Sequence, residues 1–151
     1  MFAVPENTIP SAAPFDSAAP TVHPALVARR YATARRRWAH LLRYDPDARY
    51  TVLVHRTPEQ EVWLMSWLPG QGTDLHDHGA ASGAFTIVSG ELTEHVAHRG
   101  TTLRVGAGQS RVFGPGYAHE VRNEGPDPAV SVHVYRAARA MRHYPSLSRV
   151  S

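Results

Sequence analysis

Gly70-Gln71-Gly72-Thr73-Asp74-Leu75-His76-Asp77-His78-Gly79 is the stretch around which this chain is best read. It places two histidines two residues apart behind a glycine-rich turn. On extended backbone, alternate side chains point to the same side, so His76 and His78 share a face. Imidazole is the commonest metal-ligating side chain and is neutral near pH 7. The pair is therefore half of a metal site, and the rest of the chain has to supply the other half.

Working outward, the flanking pattern is β almost throughout. Residues 50–56 and 61–67 are apolar and β-branched runs. Residues 85–88, then Ser89-Gly90, then 92–98 read as a hairpin. Arg99-Gly100 turns into 101–105, Gly106-Ala107-Gly108 into 111–113, and Gly114-Pro115-Gly116 into 119–122. A loop over 123–128 leads to a last strand, 129–135. Short strands with Gly/Pro turns at near-regular spacing predict a sandwich or barrel.

Upstream, Val27, Tyr31, Ala34, Trp38 and Leu41 recur at helical spacing. This predicts a helix over residues 24–44, packed on the outside of a sheet and ended by Asp45-Pro46-Asp47. Residues 1–22 hold four prolines among Ala, Ser and Thr. They read as a mobile arm ahead of a single domain over 23–151. Residues 141–151 are polar and are expected to pack irregularly on the surface.

Composition narrows the function. A chain of 151 residues suits one domain. It has no cysteine, which excludes disulfides, zinc-thiolate sites and a cysteine nucleophile, and suits a cytoplasmic setting. No apolar run approaches the ~20 residues that span a bilayer, and the N-terminus lacks the basic and apolar regions of a signal peptide. Formal charge is +3, and all 16 basic residues are arginine. So small an excess does not argue for nucleic acid, and Arg35-Arg36-Arg37 reads as a solvated face. The expected partners are small molecules, with no nucleic acid and no membrane, and the expected state is a monomer.

The ten histidines differ in their company. His23, His40, His55 and His143 have no partner at ligand spacing and are assigned to surface or packing roles. His95 and His98, three apart, fall on opposite faces of a strand. His119 follows a tight Gly-Pro-Gly turn that would aim it at a fixed angle. Spacing alone leaves open whether it joins His76 and His78. In the last strand Val130, Val132 and Val134 share one face, and Ser131, His133 and Tyr135 share the other. Buried, the three polar groups must be hydrogen-bonded, which they can do to each other, His133 steering the Tyr135 hydroxyl. The alternative is a solvated outer face.

Gly70, five residues, His76-x-His78 and a closing Gly90 resemble the first motif of the cupins. Gly108, Gly114-x-Gly116, His119 and Asn123 resemble the second, with proline displaced to the middle position, Pro115. The resemblance covers roughly residues 50–136. It implies an all-β cupin barrel (a double-stranded β-helix or jelly roll), here with the N-terminal helix packed outside. The glutamate ligand usual after the histidine pair is missing, since 79–84 carries no carboxylate. The implied metal set is His76, His78 and His119. Three imidazoles leave about three positions open on an octahedral ion, which suits non-haem Fe(II). A tetrahedral zinc site with one water is the competing reading.

Ser131-x-His133-x-Tyr135 joined to this set, with Trp67 nine residues before His76, is similar to the cysteine dioxygenase family. That resemblance implies one Fe(II) per chain on His76, His78 and His119, with Tyr135, His133 and Ser131 as catalytic residues. It implies a small thiol, cysteine or a relative, oxidised by O₂ to a sulfinic acid. Animal members crosslink the tyrosine to a cysteine. The matching position is Gly83, so no crosslink can form, as in bacterial members. The family's carboxylate-binding arginine falls at Val52. Arg49 is the nearest substitute, with Tyr50 and Trp67 as further substrate-binding residues. Two alternatives stand beside this reading: a metal-dependent cupin enzyme acting on a non-thiol substrate, and a non-catalytic metal-binding sensor.

Overall fold

A computed structural model describes residues 22–136 and the backbone of Arg142–His143. The proline-rich arm lies outside the described residues except for Val22.

Helix α1 runs over Pro24–Thr33. His23 caps it by accepting a hydrogen bond from the Ala25 amide at Nδ1 (3.0 Å), and Pro24 takes the first turn, where no amide hydrogen is needed. The helix stops well short of residue 44. Ala34 leaves helical geometry, with φ −95° and ψ 60°, and Trp38 folds back so that its indole N–H reaches the Tyr31 carbonyl at 2.7 Å. Two short 3-10 turns, Arg35–Arg37 and Ala39–Leu41, replace the expected last two turns of helix. The reason is burial: Trp38 is fully enclosed while the three arginines before it are exposed.

Among the described residues ten strands follow: β1 Tyr50–Arg56, β2 Gln60–Trp67, β3 His76–Asp77, β4 Ser82–Ser89, β5 Glu91–Val96, β6 Thr101–Gly106, β7 Ser110–Phe113, β8 His119–Arg122, β9 Ala129–Arg136 and β10 Arg142–His143. They form two five-stranded antiparallel sheets, ordered β1-β2-β9-β4-β7 and β10-β3-β8-β5-β6. The all-β expectation with one N-terminal helix holds.

The hairpin expected over 85–98 does not form, because β4 and β5 belong to different sheets. Gly90 is the corner. Its φ is +78°, and a Cβ there would come within 2.5 Å of the Pro128 carbonyl oxygen. Only glycine permits that conformation and that approach. Alternation continued through the turn cannot distinguish a hairpin from such a crossing. Residues 141–151 also depart from expectation where they are described: Arg142–His143 is a short strand that pairs with β3. Among the described residues no helix is long and apolar enough to cross a membrane.

β9 is central in its sheet and covered on both faces. Val130, Val132 and Val134 pack with Val27, Ala28, Tyr31, Trp38, Val62 and Leu64 under the helix. The other face looks between the sheets, where Tyr135 packs with Met65, Trp67, Phe85, Ile87, Phe113 and Val121. Ser131, His133 and Tyr135 are all buried. The polar side of this strand is therefore interior, and the solvated alternative is ruled out.

Candidate metal centre

The sheet order brings the expected histidines together. β3 is bonded to β8, with His76 directly opposite His119. Residues 70–73 extend the pairing: the Thr73 amide donates to the Val121 carbonyl (2.8 Å), and the Gly70 amide to that of Asn123 (2.8 Å). The turn after His78 is held by Asp77, whose Oδ1 accepts the Gly79 amide hydrogen at 2.8 Å. The Gly-Pro-Gly turn docks on it, the Gly116 amide donating to the Gly79 carbonyl at 2.9 Å. This contact ties the approach of His119 to the His-x-His loop.

His76, His78 and His119 are all buried, and their candidate ligand atoms lie within 4.8 Å of one another. Ring centroids are 4.8 Å apart for His76–His78 and His76–His119, and 5.9 Å for His78–His119. His76 Nδ1 sits 2.6 Å from the Asp74 carbonyl oxygen, and His119 Nδ1 2.7 Å from Glu94 Oε2. Each Nδ1 carries the proton for such a contact, which leaves Nε2 to face an ion. Three nitrogen donors with no carboxylate among them can hold a metal ion and leave positions open to exogenous ligands. Among the described residues no other group of three such side chains is gathered. His23, His40, His55 and His98 are exposed, and His95 bonds Thr102.

The Tyr135 ring lies over this group, 4.5 Å from the His78 ring at 40°. Below it, Trp67 Nε1 donates to the Ser131 hydroxyl (2.9 Å), which bonds His133 Nε2 (2.8 Å). His133 stacks on Phe85 at 4.9 Å and 14° and lies 6.4 Å from the Tyr135 ring. Burial, then the nearby Arg49 charge, push the His133 pKa well below its ordinary value. The imidazole is therefore neutral at physiological pH.

A model of the family described as cysteine dioxygenase type I matches residues 21–144. The chain belongs to this family. Among solved structures it is similar to a Klebsiella pneumoniae protein described as having a double-stranded β-helix domain. That match has 26% identity and a TM-score of 0.63, over 70% of this chain and 94% of the other. A Thermus thermophilus protein is 25% identical with a TM-score of 0.61, over 66% and 92%. Oxalate oxidase, at 18% identity and a TM-score of 0.57 over 66% and 56%, shares the fold alone. The barrel is thus a cupin, and a metal-dependent enzyme is the class that family and site together support.

Within a cysteine dioxygenase family site, three positions read differently in the structure than in the sequence. The first is Val52. It packs against the cluster under the helix, outside the barrel, so an arginine there would point away from the cavity. Tyr50 shares that face, being registered opposite Ser66, whose hydroxyl bonds the Arg43 carbonyl on the outside. Tyr50 is thus not brought to the site. Arg49, one residue earlier, alternates inward. Its guanidinium stacks over Trp67 at 5.2 Å and reaches Met65 Sδ at 3.2 Å. Burial lowers its pKa, and the Tyr135 phenol nearby partly offsets this. An arginine stays charged regardless, and among the described ion pairs none involves Arg49.

The second is Gly83. It pairs with Tyr135 on one side and Phe113 on the other. A Cβ there would meet Phe113 Cζ at 2.5 Å and the Val134 carbonyl oxygen. The Phe113 ring leans across the bare backbone toward His78 (5.0 Å) and Tyr135 (5.8 Å).

The third is Glu94, which the sequence reading passed over. It is fully buried on β5. Beyond His119 it accepts hydrogen bonds from Arg111 Nε (2.7 Å) and the Tyr117 hydroxyl (3.2 Å). Burial pushes its carboxyl pKa up, but the hydrogen bonds and charges of His119 and Arg111 outweigh that and leave it below the ordinary value. A signal existed: Leu92, Glu94 and Val96 share one strand face, and an acid between two core aliphatics needs a partner inside.

Proposed function

We propose that this chain is an Fe(II)-dependent thiol dioxygenase that oxidises cysteine or a related small thiol to its sulfinic acid. The overall change is R–SH + O₂ → R–SO₂H, with both oxygen atoms on sulfur and no external reductant. The observation that carries the reading is the buried His76/His78/His119 group beneath Tyr135, in a chain of this family.

His76, His78 and His119 would hold the iron, one per chain, through nitrogen. Iron, when bound, would supply open positions for the thiol sulfur and O₂ and the means of activating oxygen. The chain's own residues do the rest. Arg49 offers a fork of donors to a substrate carboxylate, the natural bidentate partner of a guanidinium. A carboxylate there would compensate a charge that burial leaves costly. Tyr135 presents a phenol hydroxyl over the histidine face, able to donate to the reacting sulfur or oxygen. Ser131 and Trp67 fix the neutral His133 behind it. Trp67, fully buried and committed to Ser131, supports the site rather than touching substrate. Phe85 and Phe113, in the buried apolar cluster against His119, would keep water from the histidine face. The reading includes a cytoplasmic monomer acting on small molecules, with no nucleic-acid or membrane partner.

Oxygen uptake by the Fe(II)-loaded protein, with thiols that carry or lack a carboxylate, tests this. Uptake with at least one small thiol, with sulfinate formed, is expected. Arg49→Gln should raise KM for carboxylate-bearing thiols by about 10- to 100-fold, the equivalent of one charge-assisted hydrogen bond of roughly 1.5–3 kcal/mol. KM for thiols without a carboxylate should be unchanged. No uptake with any thiol despite stoichiometric iron overturns the proposal.

A further inference from the structure

The two histidines that face each other across β3 and β8 are supported unequally. His76 Nδ1 meets a backbone carbonyl, a neutral acceptor. His119 Nδ1 meets a carboxylate, and a hydrogen bond to an ionised acceptor is roughly twice as strong as one to a neutral group. From this inequality we infer that Glu94 is a positioning residue for the metal. It holds His119 with the proton on Nδ1 and Nε2 toward the ion, and makes His119 a stronger donor than His76. The inference rests on the three-histidine metal reading and not on thiol oxidation.

A plain structural ion pair does not account for the arrangement. A fully buried carboxylate costs several kcal/mol of desolvation, and an apolar side chain at the same place is often as stable or more so. Leu92 and Val96, on the same face of β5, show what the position would otherwise hold. Arg111 alone could neutralise the charge, and it does so through Oε1, at 2.7 Å. Oε2 is turned away from Arg111 Nε, toward His119 and the Tyr117 hydroxyl. The two oxygens thus divide the work: one is anchored near the surface by a side chain that is one-third exposed, and the other is presented to the ligand. Register explains the reach. Glu94 lies opposite Val121 and His119 opposite Val96, so carboxylate and imidazole are diagonal neighbours across β5 and β8. A shorter side chain at 94 would not span that diagonal. Partners of this kind set the tautomer and basicity of a ligating histidine, and losing one typically costs 10- to 100-fold in metal affinity or activity.

The test uses metal alone, without thiol or oxygen, so its failure is distinct from a failure of the dioxygenase reading. In ¹⁵N-labelled wild-type protein loaded with Zn(II), His119 should be metal-bound through Nε2 and protonated at Nδ1. Ligation through Nδ1 overturns the inference. In Glu94→Gln, Co(II) affinity should fall about 10- to 100-fold. The visible bands of bound Co(II) should shift while far-UV circular dichroism stays that of wild type. Arg111→Lys, which keeps a cation beside Oε1, should retain affinity and bands. A folded Glu94→Gln protein with wild-type Co(II) affinity and spectrum also overturns it. Should that variant not fold, the tautomer measurement on wild type decides.

Discussion

Two polar networks flank the histidine cluster, one within the β2–β9 sheet and one bridging β7 to β5 and β8 of the other sheet, and they are built differently. Trp67 at the end of β2 and Ser131 and His133 on β9 form a chain of neutral groups, in which each hydrogen bond replaces one that water would have made. Across the cavity, Arg111, Glu94 and His119 form a chain containing full charges. The neutral chain sits behind a phenol that we assign to the reacting groups. The charged chain sits behind a metal ligand. The difference follows from what each has to support. A tyrosine hydroxyl needs only an orientation, which neutral partners supply at little desolvation cost. A ligand to a cation gains from a negative charge behind it, which is worth burying only if it is compensated elsewhere.

The largest expected effect separates the two by breaking the charged chain at its outer end. Arg111→Met removes the cation that compensates Glu94 and leaves the carboxylate buried. Removing one partner of a buried pair typically costs about 3–5 kcal/mol. Arg111 is one-third exposed, so water partly replaces it and the lower end, about 3 kcal/mol, is expected. Urea denaturation of the metal-free protein measures it. A loss below that of Ser131→Ala, which cuts the neutral chain, would erase the distinction between the networks.

The same contrast governs what could be read in the sequence. Three of the groups on the neutral side lie on one strand, so alternation alone puts Ser131, His133 and Tyr135 on one face, while whether that face is interior or solvated waits on the sheet packing. The metal pair His76 and His78 is equally local, whereas the Gly-Pro-Gly turn leaves the place of His119 open and only the resemblance to the second cupin motif adds it to the set. The charged network draws on β5, β7 and β8, and no spacing in one strand announces it. Only Glu94 between Leu92 and Val96 hinted at it. The fold was legible to the same depth. Strand positions followed from alternation and turns, but the exchange between sheets at Gly90 did not, because a sharp corner and a hairpin begin alike. Arg49 was named, yet its claim over Val52 depended on which face of β1 looks inward. The pairing of Tyr50 with Ser66 fixes that face, and it is a long-range fact.

Ser131→Ala cuts the neutral chain at its centre. Trp67 Nε1–H loses its acceptor and His133 Nε2 its partner, both in the interior. A buried group left unsatisfied costs about 1–3 kcal/mol, more when it is charged; two neutral groups at the low end give about 2 kcal/mol, so the loss in urea denaturation should be smaller than for Arg111→Met. Co(II) affinity should not change, since no ligand histidine is touched. A drop in affinity equal to that of Glu94→Gln would mean that the two networks act on the metal as one.

The smallest effect is a slope. His133 is buried and neutral, its pKa pushed well below the ordinary value by burial and then by Arg49. In the unfolded chain it titrates near pH ~6.5. Below that pH the unfolded state binds a proton that the native state refuses, so this residue makes stability fall as pH falls. In His133→Gln that contribution is absent. Between the unfolded and the native pKa, stability of the metal-free variant should fall less steeply with decreasing pH, by up to about 1.4 kcal/mol per pH unit. Glu94, whose native pKa is lowered, also loses its contribution as pH falls, but it does so in both proteins, so the difference between them isolates His133. Parallel curves would mean that His133 takes up a proton in the native state. The β9 network would then carry charge as the β5 network does, and the contrast between a neutral and an ionic side of the cavity would fail.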